Sequence, residues 1–160
     1  MKKLIVGLTM VVVAVVLVSV GTRASEAGKK RTIRVQEHGT NATYVPVQTL
    51  VGGSGPSSQG DYLAFDDPVF DPDTEAQVGH VMGVCVLVDV SVQTFMCPDV
   101  TLILTGKGQI AVGGMFDGTG KPASGPILAG TGMFSGAVGT YTITALDGGT
   151  IDDWVVTLSQ

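Results

Sequence analysis

Gly130-Thr131-Gly132-Met133-Phe134-Ser135-Gly136-Ala137-Val138-Gly139 places four glycines and one aromatic within ten residues. It leads directly into the strand-like run Tyr141-Thr142-Ile143-Thr144-Ala145-Leu146. Glycine inside a strand pattern marks a bend, a bulge or a close backbone approach. A sheet that curls back on itself needs such points to relieve its curvature. The stretch therefore reads as the corner of a small β-barrel.

Outward from this corner the pattern stays β. Val, Thr, Ile and Gly dominate, turn residues recur about every ten positions, and no helical period of useful length follows the first 27 residues. Strands are expected near Thr32–His38, Asp61–Phe65, Gly79–Val88, Thr94–Thr105, Gln109–Phe116, Pro126–Phe134, Thr140–Leu146 and Asp153–Leu158. That makes an all-β fold, an eight-stranded antiparallel barrel whose lumen holds side chains or one small ligand. Gly52-Gly53-Ser54-Gly55-Pro56-Ser57-Ser58-Gln59-Gly60 and Gly118 to Pro126 read as loops.

The two cysteines, Cys85 and Cys97, fit the same scheme. Val78–Val88 and Thr94–Leu104 are strand-like on either side of a turn near Asp89-Val90-Ser91. A hairpin centred on Ser91 sets Cys85 opposite Cys97, and opposed positions of an antiparallel pair can meet disulfide geometry. An oxidising compartment would favour that bond.

The N-terminus points to such a compartment. Lys2 and Lys3 precede the almost wholly apolar Leu4–Val20, and small residues at Ser25 and Ala27 are spaced like a cleavage site. Residues 1–27 are expected to be a secretory signal peptide cut after Ala27 or after Ala24, making the protein extracellular or periplasmic. The competing reading is an uncleaved anchor, since 17 residues lie at the lower edge of spanning length. Residues 28–160 are expected to form one barrel domain.

Charge limits the partners. From Val35 onward, 13 carboxylates face only Lys107 and Lys121, a net charge of −11. Such a surface repels phosphate backbones, so nucleic acid is not an expected partner. No nucleophile elbow, P-loop or dinucleotide fingerprint occurs. Two histidines and two cysteines placed for bonding do not make a transition-metal cage, so neither cofactor nor metal is expected. The acidic run Asp66-Asp67-Pro68-Val69-Phe70-Asp71-Pro72-Asp73-Thr74-Glu75 reads as a proline-stiffened, solvated connection, with calcium binding as the alternative. Asn41-Ala42-Thr43 is formally a glycosylation sequon. Glu37, near the end of the first expected strand, could serve as an acid or base if it faced an apolar lumen.

Three ordered motifs resemble the allene oxide cyclase-like barrels, a family related in fold to dirigent proteins. They are Gly60-Asp61-Tyr62-Leu63-Ala64-Phe65, Val78-Gly79-His80-Val81-Met82-Gly83-Val84-Cys85-Val86 and the Gly130–Gly139 stretch. The resemblance spans roughly residues 32–158. It implies an eight-stranded barrel with an apolar cavity, often assembled as a homotrimer, in which an unstable epoxide is closed to a cyclopentenone. It places the cavity glutamate at Glu37 and the cavity cysteine at Cys85 as catalytic candidates, with Phe65, Met82, Phe116 and Phe134 as ligand-binding wall. Gly39 stands where the cyclases carry an asparagine, and a Cys85–Cys97 disulfide would leave no free thiol.

The expectation is thus a secreted barrel that binds a small hydrophobic molecule and, as an enzyme, would be an isomerase or cyclase acting by confinement. The alternatives are a non-catalytic dirigent-like or metabolite-binding module, and a barrel whose interior is filled.

Overall fold

Along much of the long strands buried and outward residues alternate, most regularly in β4, the pattern of a sheet with a dry inner face. The computed structural model describes residues 30–39, 42–45 and 58–159. The expected signal peptide, the sequon residue Asn41 and residues 52–57 of the first loop lie outside the described residues. The strands are β1 (Lys30–His38), β2 (Thr43–Val45), β3 (Tyr62–Phe70), β4 (Gln77–Asp89), β5 (Thr94–Leu104), β6 (Gly108–Asp117), β7 (Ala123–Gly130), β8 (Val138–Leu146) and β9 (Ile151–Ser159).

All pairings are antiparallel. The sheet runs β1-β9-β8-β7-β6-β5-β4-β3, and β3 pairs back onto β1 through Gln36↔Phe70 and Glu37↔Val69. This closes an eight-stranded barrel, as expected. The short β2 continues the seam by pairing with Tyr62–Ala64 at the other end of β3. Between these two short ladders residues 65–68 of β3 have no described strand on that side, although β4 pairs with them on the other, and Pro68, which has no N–H to offer, lies there.

The interior is built from β-branched and aromatic side chains. Val69, Val81, Leu102, Ile110, Val112 and Val156 are all fully enclosed, with Trp154 and Tyr141 at the centre. Glycines make room for the rings. A Cβ on Gly114 or Gly125 would come within 2.6 Å or 2.9 Å of the Tyr141 side chain. The Tyr141 hydroxyl donates to the Gly113 carbonyl at 3.3 Å, so its buried polar end is satisfied.

The expected barrel corner is present but differs in detail. β7 starts at Ala123 and ends at Gly130, and Gly132–Phe134 form a single 3-10 turn instead of continuing the strand. Gly132 has φ +59, a left-handed conformation that diverts the chain. The turn drives Phe134 into the end of the barrel, where its ring is fully buried beneath the Arg31 guanidinium, 5.7 Å from the ring centre. Burying that side chain stabilises the closed end by about 1.5–3 kcal/mol.

The acidic run is also corrected. Asp66 to Phe70 belong to β3, and only Asp71–Ala76 form a turn. Residues 63, 65, 67 and 69 face inward, so the strand period carries Asp67 inside while Asp66 stays outside. The Asp71 carboxylate closes the turn by accepting from the Asp73 and Thr74 backbone N–H groups, each at 3.0 Å, and is held below its usual pKa by those bonds.

Gly79 tests the packing directly. A Cβ there would run into the Ile103 carbonyl of β5, whereas one on Gly39 would meet nothing within 4 Å. Gly79→Ala is expected to cost about 1–3 kcal/mol, and Gly39→Ala well under 1 kcal/mol. Urea denaturation of the two variants beside the parent checks this.

Candidate functional site

Seven strands, all the long ones but β7, bring inward residues to the end of the barrel opposite Phe134. β1 contributes Glu37, β3 contributes Leu63, Phe65 and Asp67, and β9 contributes Asp152 and Trp154. Cys85 of β4 and Cys97, Phe95 and Val100 of β5 form the facing wall. They enclose a cavity of about 380 Å³, with Gly39 and Ala42 also on its lining. Phe95, Phe116, Ile143, Gly149 and Asp152 are shared with a wider recess of about 550 Å³, where the Asp117–Lys121 loop forms part of the rim. The volume falls in the range of small-molecule sites.

Register explains why three carboxylates meet in this apolar space. Glu37 lies directly opposite Asp152 on β9 and opposite Val69 on β3, whose inward neighbour two residues earlier is Asp67. Glu37 is only 7 % exposed and Asp67 only 3 %. The Trp154 indole N–H donates to Glu37 Oε2 at 2.7 Å, and the Glu37 and Asp67 carboxyls are hydrogen-bonded to each other. Two carboxyls can share such a bond only when one of them carries a proton.

Burial favours the protonated form of Glu37. Loss of water pushes Glu37 up to about 8. The Trp154 hydrogen bond opposes the shift, while the charges of Asp152 and Asp67 and the bond to Asp67 add to it. Asp152 is raised too, first by burial and then by Asp67. At neutral pH, therefore, Glu37 is a neutral acid that holds a transferable proton among apolar walls. Phe116, Tyr141 and Trp154 stack behind it, with ring centres 6.2 Å and 5.8 Å apart in succession, and fix the indole that orients the carboxyl.

The sequence-expected residues divide. Glu37, Phe65, Cys85, Cys97 and Phe116 all line the cavity. Cys85 and Cys97 form the disulfide, and the register around them, Val86↔Met96 and Leu87↔Phe95, is the one centred on Ser91. Cys85 is therefore a wall residue, because a bonded sulfur has no thiol proton to transfer. Met82 does not reach the cavity. The inward set on β4 is Gly79, Val81, Gly83, Cys85 and Leu87, so Met82 lies on the outer surface and is 38 % exposed. Phe134 seals the opposite end. Asp67, Asp152, Trp154 and Phe95 were not anticipated. The signal for Asp67 was present, since it stands two residues from Phe65 on the same strand.

A family model of dirigent-like proteins matches residues 32–158. The chain belongs to the dirigent-like family. No curated protein matches it. Among solved structures it is similar to pyocyanin demethylase, with a TM-score of 0.64 and 21% identity over 80% of this chain and 99% of that one. It is similar to the pterocarpan synthase dirigent protein GePTS1, with a TM-score of 0.65 and 16% identity over 82% and 88%. The Diels Alderase AbmU from Streptomyces koyangensis matches with a TM-score of 0.62 and 18% identity over 83% and 70%. Identities this low speak to the dirigent-like barrel alone, and the chemistry has to be argued from the cavity.

The raised Glu37 carries a stability signature. Below its ordinary value of 4.5 the proton is held in both the folded and unfolded states. Between there and about 8 only the folded chain holds it, so the contribution to stability is lost as pH rises through that window. Glu37→Gln keeps an acceptor for Trp154 and a donor for Asp67 without the titration. Between pH 5 and pH 8 the parent should lose on the order of 3 kcal/mol more than the variant. Urea midpoints at the two pH values give the difference, with the raised Asp152 leaving a smaller slope of the same sign in the variant.

Proposed function

We propose that this dirigent-like barrel confines a small hydrophobic molecule in its cavity and steers a ring closure or isomerisation of it by proton transfer at Glu37. The observation that carries the reading is Glu37 itself, buried in an apolar, ligand-sized cavity between the Trp154 indole and a second carboxyl group, Asp67, where loss of water favours its protonated form. Glu37 would give its proton to an oxygen or unsaturated carbon of the ligand as a bond forms. A proton lost elsewhere on the ligand would return to the Glu37–Asp67 pair, so the product has the composition of the substrate. Trp154 is a positioning residue that points the carboxyl, and the aromatic walls restrict the ligand to a folded shape.

The finer resemblance to allene oxide cyclase-like barrels belongs to this proposal, with Glu37 in the place of the cyclase glutamate. The Cys85–Cys97 disulfide serves there as a rigid stretch of wall. Its presence suits the secreted location read from residues 1–27. Assembly as a homotrimer is part of the same reading.

The chain's single tryptophan lies in the cavity wall, so occupancy is expected to change Trp154 fluorescence. Leu63→Phe, which takes up cavity volume, should weaken binding of a small apolar probe at least tenfold. With an unstable epoxide or polyene substrate, pure protein is expected to change the product distribution, and Glu37→Gln to abolish that change while retaining binding. Binding with no change in products by the parent would make the protein a carrier or a dirigent-like auxiliary instead.

A further inference from the structure

The charge of the cavity has a consequence for what enters it. The described residues that line the cavity include Glu37, Asp67 and Asp152, and among them no lysine, arginine or histidine. Asp67 is almost fully buried, and Asp152 sits where the cavity meets the recess. The cation of the recess, Lys121, faces Asp117 at 3.9 Å, is 77% exposed and shares the rim with Asp152. The cavity therefore presents acidic side chains, and no basic one among the described residues, to its occupant. The remaining wall is aromatic, from Phe65, Phe95, Phe116 and Trp154, whose ring faces attract positive charge.

These features act in the same direction. A carboxylate or phosphate taken into the cavity would face like charge at low dielectric with no cation to pair with it. A flat molecule with delocalised positive charge would meet carboxylates at its edge and ring faces on its sides. Such a cation is weakly hydrated and loses little on leaving water, unlike a compact ammonium. We infer that the cavity selects a planar organic cation, of the N-alkylated heteroaromatic or conjugated iminium class, and rejects anionic ligands of the same shape. The inference rests on the cavity's being a ligand site, as proposed above, and adds the charge of its occupant.

Three probes of one ring system separate the two ideas: 1-methylquinolinium, neutral quinoline and quinoline-4-carboxylate, titrated calorimetrically into the purified protein at pH 7.5 and low salt. The methylquinolinium is expected to bind at least tenfold more tightly than the carboxylate, with quinoline between them. Asp152→Asn and Asp67→Asn should each shrink the cation-to-anion ratio several-fold. The ratio is the readout, so a uniform loss of binding in either variant does not imitate the effect. The more exposed Asp152 keeps the test open should Asp67→Asn fail to fold. Carboxylate binding as tight as methylquinolinium, or a ratio untouched by Asp152→Asn, would overturn the inference while leaving the cavity as a site. Failure of all three probes to bind would remove both.

Discussion

Closure of the sheet rests on two residue pairs, Gln36↔Phe70 and Glu37↔Val69, where β1 meets β3. A curved antiparallel sheet left open would expose two ladders of unpaired backbone groups and a wet inner face. Joining β1 to β3 removes both edges over that span and turns the inner face into a core. The same join sets the inward side-chain positions on each side of it. It brings Glu37 against the β3 residues that follow Phe65 and places Trp154 and Asp152 beside it from β9. The candidate site and the seam of the barrel are thus one place.

That coincidence explains the unusual chemistry. The β1–β3 ladder is short and β2 takes over only at Tyr62–Ala64, so at Asp67 β3 is paired with β4 on one side and with no described strand on the other. Carboxyl groups buried in a tightly packed part of the barrel would have no space for partners. At the seam they find each other, the Trp154 indole and an adjoining cavity. A proton on Glu37 avoids like charges facing each other in this dry space, and loss of water raises its pKa to about 8. The opposite wall carries no titratable group at Cys85 and Cys97, because the disulfide removes both thiols.

The two ends of the barrel divide stability from function. At one end the 3-10 turn and the Arg31–Phe134 stack fill the interior, and glycines such as Gly130 allow the backbone to close over the ring. At the other, the aromatic and carboxyl side chains leave a hollow between them, and Gly118, Gly120, Gly148 and Gly149 border the recess. Membership of the dirigent-like family accounts for the frame, and the carboxyl cluster and the disulfide line its cavity.

Much of the frame was legible in the chain itself. Period-two alternation, turn spacing and clustered glycine specify an all-β barrel and all eight of its long strands, because these signals are local and arise from backbone sterics. The Ser91-centred hairpin likewise follows from counting residues between Cys85 and Cys97. Which side each strand turns inward could be read only where one inward residue was already known. Met82 was misplaced by one position from the inward set, and the inward Asp67 was lost in an acidic run that resembles a loop. The meeting of Glu37, Asp67, Asp152 and Trp154 was beyond any local signal. They lie up to 117 residues apart, and only the register across the closing seam decides that they share a hollow, with too little water to keep all three acids ionised.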